Sequence, residues 1–214
     1  MTDSSVNQPT SLRERKKQRT RRLLIDAAVD LCLKQGYDNT TVEQISAVAD
    51  VSTRTFSRYF AAKDAVFIAV LDDVADEIVA ELTSQPSDLG PMESLRAAHE
   101  AVLTRVTKRP LAGLSRDRIV LILRIVYSSD TLRQAAIDYR SRPAMEILAK
   151  QMGVPADDPR VELAVALFAT SIVNACSDLV AGESGVRPGP EAVMDRLDAT
   201  LGHVAKFAAD LHVR

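Results

Sequence analysis

Six of the seven residues from Ser52 to Arg58 carry groups suited to reading a polar surface: Ser52, Thr53, Arg54, Thr55, Ser57 and Arg58. Tyr59 follows at once and Lys63 four positions later. Small hydroxyls let a backbone approach closely and can donate or accept, while a guanidinium offers parallel N–H donors in a fixed fork. Phe56 and Phe60, four apart, fall on one side of a helix and leave the polar groups on the other. This is chemistry for the edges of nucleic-acid bases: a hydroxyl pairs with either kind of edge, and Arg54 forked onto a guanine would be worth ~1–3 kcal/mol of discrimination.

Contacts that position rather than specify come from cations and helix ends. Thr41 and Lys63 stand where helices begin, and the free amides of a helix N-terminus attract phosphate. Tyr59 adds a hydroxyl donor, and Arg19, Arg21 and Arg22 can follow the backbone or reach an adjoining minor groove. Charge agrees. Residues 1–64 hold 11 Lys/Arg against 8 Asp/Glu, a net of +3, whereas residues 65–214 hold 16 against 21, a net of −5. Seven of the basic residues lie within Ser11–Arg22. A basic head on an acidic body points to a local contact with a polyanion. Plain packing of three helices would explain the apolar stripes, but not the hydroxyls and arginines gathered opposite them.

The elements that must hold these groups are helices throughout. Leu24, Ala27, Ala28, Leu31 and Cys32 recur at helical spacing in a helix over about Arg15–Gln35, stopped by Gly36. Thr41 and Gln44 form a capping box for a short helix over Val42–Ala49. Asp50-Val51 is the turn, Ser52 caps Thr53–Phe60, and a fourth helix runs from Lys63 to Ser84. After the Gln85–Pro91 loop come longer helices over Met92–Lys108, Ser115–Tyr127, Asp130–Met152, Pro159–Ala181 and Pro190–Leu211, with a second loop over Gly182–Pro190. Pro143 should kink or split the third of them. Ile119–Tyr127 is β-branched but has no partner strand or hairpin signal, so it too is read as helix. The fold expected is all-α, with about nine helices: residues 1–14 a disordered basic tail, 15–62 a three-helix helix-turn-helix domain, 63–214 a larger helical domain whose first helix, 63–84, is the connector.

The run Thr40-Thr41-Val42-Glu43-Gln44-Ile45-Ser46-Ala47-Val48-Ala49, then Asp50-Val51-Ser52-Thr53-Arg54-Thr55-Phe56-Ser57-Arg58-Tyr59-Phe60, then Ala61-Ala62-Lys63-Asp64, resembles the signature of the TetR family of transcription regulators. The resemblance is close over about Arg15–Leu71; the remainder matches only in being helical and of suitable length. Three positions depart from it. Asp50 stands where the family has glycine and tolerates a left-handed turn less well. Phe56 replaces the commoner Tyr and removes a hydroxyl. Ala62 replaces a capping residue before Lys63, a loss of ~1 kcal/mol of helix stability.

The resemblance implies a homodimer on an inverted-repeat double-stranded operator, released by a small-molecule effector. The last two long helices would pair with their copies, through Val193, Leu197, Leu201, Val204 and Phe207. The middle helices would enclose the effector, with His99, Arg124, Tyr127, Tyr139, Phe168, Asn174 and Asp178 as candidate lining among Leu121, Ile122, Ile125 and Val165. Each has a plainer reading: His99 a satisfied histidine, Arg124 a partner of Asp130 or Glu146, Phe168 core, Asn174 a hydrogen bond across the dimer. An apolar or amphipathic effector fits such a wall.

Other classes fare worse. There are only three histidines, no phosphate-cradling glycine loop, and two cysteines far apart on apolar stripes that read as reduced core thiols, so neither an enzyme nor a metal or cofactor site is expected. The N-terminus lacks a signal peptide, and Leu163–Cys176 is short of the ~20 apolar residues of a membrane span, so no membrane association and a cytoplasmic location are expected. A ligand-independent architectural DNA binder is the alternative; the size of the C-terminal region argues against it. Repressor and activator are both open.

Overall fold

Helix-forming Arg, Lys, Gln and Glu open α1, Leu12–Gln35, in a computed structural model that describes residues 12–86, 88–109, 114–181 and 187–211. Glu14 accepts from Gln18 at 3.0 Å and lies 3.9 Å from Lys17, so the basic stretch is helical from Leu12. The tail expected over residues 1–14 is thereby corrected for its last three; residues 1–11 lie outside the described residues, as do 182–186 of the expected second loop. Gly36, at φ +84°, ends α1 in the left-handed conformation expected of it.

The remaining helices are α2 (Val42–Val48), α3 (Thr53–Tyr59), α4 (Lys63–Ile68), α5 (Asp72–Ser84), α6 (Pro91–Lys108), α7 (Arg116–Val126), α8 (Asp130–Asp138), α9 (Arg142–Met152), α10 (Pro159–Ala175), α11 (Ser177–Ala181) and α12 (Pro190–Asp210). The described residues thus hold twelve helices rather than nine, because three of the expected helices are each broken once. Pro143 divides α8 from α9, where Ser141 caps the new start by accepting from the Ala144 amide. The other two breaks carry neither Gly nor Pro. Over residues 67–72, three successive amides reach back three residues instead of four (Val70 to Phe67, Leu71 to Ile68, Asp72 to Ala69), and Asp72 then places an acid in the first turn of α5. At Cys176 the amide likewise bonds Val173, and the Ser177 hydroxyl takes the carbonyl of Asn174 at 3.0 Å.

The chain divides into two compact units, one ending at Val66 and one beginning at Phe67. In the first, α1 packs on α2 and α2 on α3 around Leu24, Ala28, Ile45 and Phe56, all essentially without exposure. In the second, α10 lies among α6, α8, α9 and α12, while α5 packs on α6 and α9. Pro159–Val180 is long and apolar enough to cross a membrane by length and composition, longer than the span read from the sequence, yet here it supplies a helix packed among four others. Arg96 joins α6 to α12 by a two-pronged bond to Asp198 (2.7 and 3.0 Å), and Arg105 joins α6 to α5 through Glu77 (3.3 Å) and Glu81 (2.6 Å).

The α2–α3 turn carries the backbone strain suspected from its sequence. Asp50 sits at φ +53° as the left-handed residue of a Schellman ending, with Val51 N–H on the Ser46 carbonyl (2.9 Å) and Asp50 N–H on that of Ala47 (3.2 Å). A left-handed L-residue costs ~1–2 kcal/mol, partly offset by the greater chain entropy glycine would lose. Asp50→Gly is therefore expected to stabilise the N-terminal unit by about 0.5–1 kcal/mol, read as a rise in its melting temperature. An unchanged or lower value would mean the carboxylate supports the turn.

Candidate DNA-reading face and ligand cavity

On α3 the buried and exposed sides separate as the four-residue spacing requires. Phe56 and Phe60 are 1% and 5% exposed, with ring centroids 5.6 Å apart, and the Arg21 guanidinium lies 5.6 Å from the Phe60 ring. Opposite them Ser52, Thr53, Arg54, Ser57 and Arg58 are exposed, with Thr55 and Tyr59 half-buried.

Hydrogen bonding sorts these groups further. Ser52 caps the helix by accepting from the Thr55 amide (3.1 Å), and the Ser52 and Thr55 hydroxyls bond each other at 3.0 Å. Ser57 donates to the Thr53 carbonyl at 3.1 Å, and Arg58 lies over the Tyr59 ring, 5.3 Å from its centroid. Thr53 and Arg54, in the first turn, are thus the exposed side chains best placed to meet a base edge. Of the two, Arg54 offers the more hydrogen-bond donors.

The expected capping box forms: Thr41 Oγ accepts from the Gln44 amide (3.3 Å) while Gln44 Oε1 accepts from the Thr41 amide (3.0 Å). Thr41 is exposed, and the box uses its oxygen rather than its hydroxyl proton. Arg15, Arg19 and Arg22 are exposed at spacings of four and three, one stripe along α1. The Lys63 ammonium donates one of its three N–H groups to the Tyr37 carbonyl at 2.9 Å and lies 3.9 Å from that ring's centroid, so it also braces its own unit. The Tyr37 hydroxyl in turn donates to Asp64, and burial first, that carboxylate second, push the phenol far above its usual pKa. Sequence reasoning passed over Tyr37; its place directly after the helix-ending Gly36 was the signal.

The C-terminal unit holds a half-open cavity of about 230 Å3. Its wall is largely aliphatic, from Leu71 just before α5, Val74 and Ile78 of α5, Val102 of α6, Ile122 of α7 and Ile172 of α10, among others. His99, Tyr127, Tyr139 and Phe168 border it, and so do Ile122 and Val165. Arg124, Asn174 and Asp178 do not. Arg124 points away on the exposed side of α7, and the partners considered for it are taken, Asp130 by Arg133 and Glu146 by Arg142. Asn174 lies on the exposed side of α10 and donates to the Thr170 carbonyl at 2.8 Å. Asp178 pairs with Arg196 at 2.6 Å. Leu121 and Ile125 also fall outside this wall, Ile125 bordering a smaller void with Phe67 and Leu132. Ser141 and Cys176 were missed: one was read as part of a continuous helix, the other only as a core thiol.

The wall's polar groups are tied to the protein. His99 Nδ1 is 2.7 Å from the Leu95 carbonyl, and its ring lies 4.6 Å, centroid to centroid, from Phe168. Desolvation holds the imidazole down to about 4, against the opposing bond to Leu95, so the ring is neutral at neutral pH. The Tyr127 hydroxyl donates to the Val173 carbonyl, and that of Tyr139 to Asp72 at 3.1 Å. Burial raises the Cys176 thiol to about 12.

A pH dependence follows. Between about 4 and the ordinary 6.5 the unfolded chain binds the proton that folded His99 refuses, so folding stability rises with pH across that window and is lost as pH falls through it. Melting curves from pH 4 to 7 should show this rise in the wild type and a shallower one in His99→Phe. Equal slopes would mean that His99 titrates normally.

Of the five α12 residues expected at a dimer interface, two lie in this unit's own core. Val193 is 4% exposed and borders the cavity, and Leu197 is wholly buried, because this end of α12 packs on α6 and α10. Leu201 and Val204 are half-buried, and Phe207 is 67% exposed. Leu211, beside it, and Leu163 and Leu167 on α10 are exposed as well.

A short helix fixed from behind by two aromatics, with an arginine and a hydroxyl in its leading turn, defines a helix-turn-helix DNA-binding protein. Residues 24–70 match the sequence model of the bacterial regulatory proteins, tetR family. The chain is 36% identical over 173 residues to the HTH-type transcriptional regulator TcmR of Streptomyces glaucescens, covering 78% of this chain and 75% of that one. Over 65 residues it is 35% identical to the HTH-type transcriptional repressor NicS of Pseudomonas putida, 30% of this chain and 31% of that one. The fold is shared with NalD of Pseudomonas aeruginosa, the secondary repressor of the MexAB-OprM multidrug efflux pump, at a TM-score of 0.50, 18% identity, and coverage of 87% of this chain and 96% of that one. The chain belongs to the TetR family: it is a DNA-binding transcriptional regulator and not an enzyme.

Proposed function

We propose that this regulator is a cytoplasmic repressor that binds an inverted-repeat operator as a homodimer and is released by a small, apolar or amphipathic effector held in the cavity of residues 67–211. The observation that carries the reading is that one chain holds both an exposed, arginine-bearing α3 and a half-open, apolar-walled cavity. NicS, named a repressor, supports the direction of control. The cavity draws wall residues from α5, which the turn at residues 69–71 joins to α4. A ligand that displaces α5 therefore acts on the chain segment leading to the N-terminal unit. Such coupling needs an effector that binds the two states with different affinity, typically by ~1–3 kcal/mol.

The dimer face in this proposal is the exposed apolar surface of α10 and α12, which pack together: Leu163 and Leu167 on one, Phe207 and Leu211 on the other. A second copy would cover it, and two α3 helices on a two-fold axis would then meet half-sites one helical turn apart or a multiple of it. Phe207→Glu places a charge in that face and is expected to weaken dimerisation about tenfold, seen by light scattering across a dilution series. An unchanged dimer would move the interface elsewhere, and a wild-type monomer would remove it.

A further inference from the structure

The cavity of the C-terminal unit can be read for what it would hold by counting its donors and acceptors. Among the described residues, no Asp, Glu, Lys or Arg borders it, and its oxygen- and nitrogen-bearing side chains are His99, Tyr127, Tyr139 and Ser141. A carbonyl oxygen can only accept, so the His99 Nδ1 facing Leu95 carries the proton. With the ring neutral, Nε2 is then a bare acceptor. The hydroxyl protons of Tyr127 and Tyr139 are spent on the Val173 carbonyl and on Asp72. Ser141, which accepts from the Ala144 amide, keeps a proton to give and is the one hydroxyl donor left on this wall.

We infer that this cavity takes an uncharged aromatic molecule carrying a hydrogen-bond donor, a phenol or a comparable hydroxylated ring system, selected by His99 Nε2 as the acceptor. The inference rests on the cavity being the effector site. Neutrality follows from the wall: an anion would find no cation and one hydroxyl donor, and an unpaired buried charge is far costlier than an unpaired neutral group. The donor follows from His99, because an apolar guest of the same shape would leave Nε2 without a partner, and a buried acceptor left unmade carries its whole desolvation cost. The aromatic character follows from Tyr127, Tyr139 and Phe168, three of the chain's nine Phe and Tyr side chains on one wall, with the His99 ring beside Phe168. Size is consistent: an apolar cavity of ~150 Å3 takes benzene, and 230 Å3 takes a bicyclic ring.

Three matched probes separate these requirements at pH 7: 1-naphthol, a neutral donor; 1-methoxynaphthalene, which lacks the donor; and 1-naphthoate, an anion. Calorimetric titration of the full chain is expected to give 1-naphthol about tenfold tighter binding than the ether and more than a hundredfold tighter than the naphthoate. In His99→Phe the naphthol-to-ether ratio should fall to about one. Equal or tighter binding of the ether or the naphthoate by the wild type, or no binding of any of the three, would overturn the inference without reference to the variant. So would a preference for naphthol that persists in His99→Phe. Operator release is scored separately. A protein that ranks the probes as expected but stays on its operator keeps this inference and sinks the effector reading; one released by an anionic acyl compound, with the ranking absent, does the reverse.

Discussion

Replacing Phe56 with alanine is expected to destabilise the N-terminal unit by ~3–5 kcal/mol, the usual cost of emptying a fully buried aromatic site. Phe56 is 1% exposed and is the only residue of α3 itself that is fully buried; Phe60, which caps the helix and stacks on it, loses its ring partner at the same time. A unit of this size has little stability to spare. At ~4 °C or more per kcal/mol, its melting temperature should fall by about 12 °C or more. Calorimetry should show an early transition carrying a minor share of the heat, with the main transition of residues 67–214 little moved. Operator binding at 37 °C should vanish with the early transition. A variant that melts as the wild type would mean that α3 is held by something other than its aromatic pair.

The second large effect falls on recognition and not on folding. Arg54 is exposed at the second position of α3, beyond the Ser52 cap, where the leading turn of a reading helix meets base edges. Arg54→Ala is expected to weaken binding to the true operator by ~1–3 kcal/mol, roughly five- to 150-fold, while binding to scrambled duplex changes little. Titrations against both DNAs at one salt concentration measure it. Equal losses on the two would make Arg54 a phosphate contact, and no loss on either would take it out of the interface. Ser57→Ala is the internal comparison, since that hydroxyl is already committed to the Thr53 carbonyl.

What could be read from the sequence follows the physics of each feature. The caps at Thr41 and Ser52, the stop at Gly36 and the split at Pro143 are local chemistry, written in single residues and their near neighbours, and each stands where the sequence places it. The breaks near Leu71 and at Cys176 have no such marker, because hydrogen bonds there shorten by one residue within ordinary helix-forming sequence. The cavity was half legible. Polar or aromatic residues inside apolar runs are sound candidates, and His99, Tyr127, Tyr139 and Phe168 met the wall. Asn174 did not, because α10 is apolar on two sides. Leu163, Leu167 and Asn174 share the exposed side, Val165, Phe168 and Ile172 the inner one, and composition alone does not say which is which. On α12 the same ambiguity ran along the axis. Its apolar stripe is continuous, yet the Val193 end is core and the Phe207 end is open. The bond from Lys63 to the Tyr37 carbonyl is not legible for a different reason: its partner lies 26 residues away in sequence.

The measurement that tests the central claim most directly is selection of bound sequences from a random duplex pool by the purified chain at two salt concentrations. A dimeric operator-binding regulator enriches one inverted repeat, with half-sites a helical turn apart or a multiple of it, and the motif survives at the higher salt. Binding that enriches no sequence and fades as salt rises would contradict the account. Only the charge of the α1 stripe would then remain, as in an architectural DNA-binding protein.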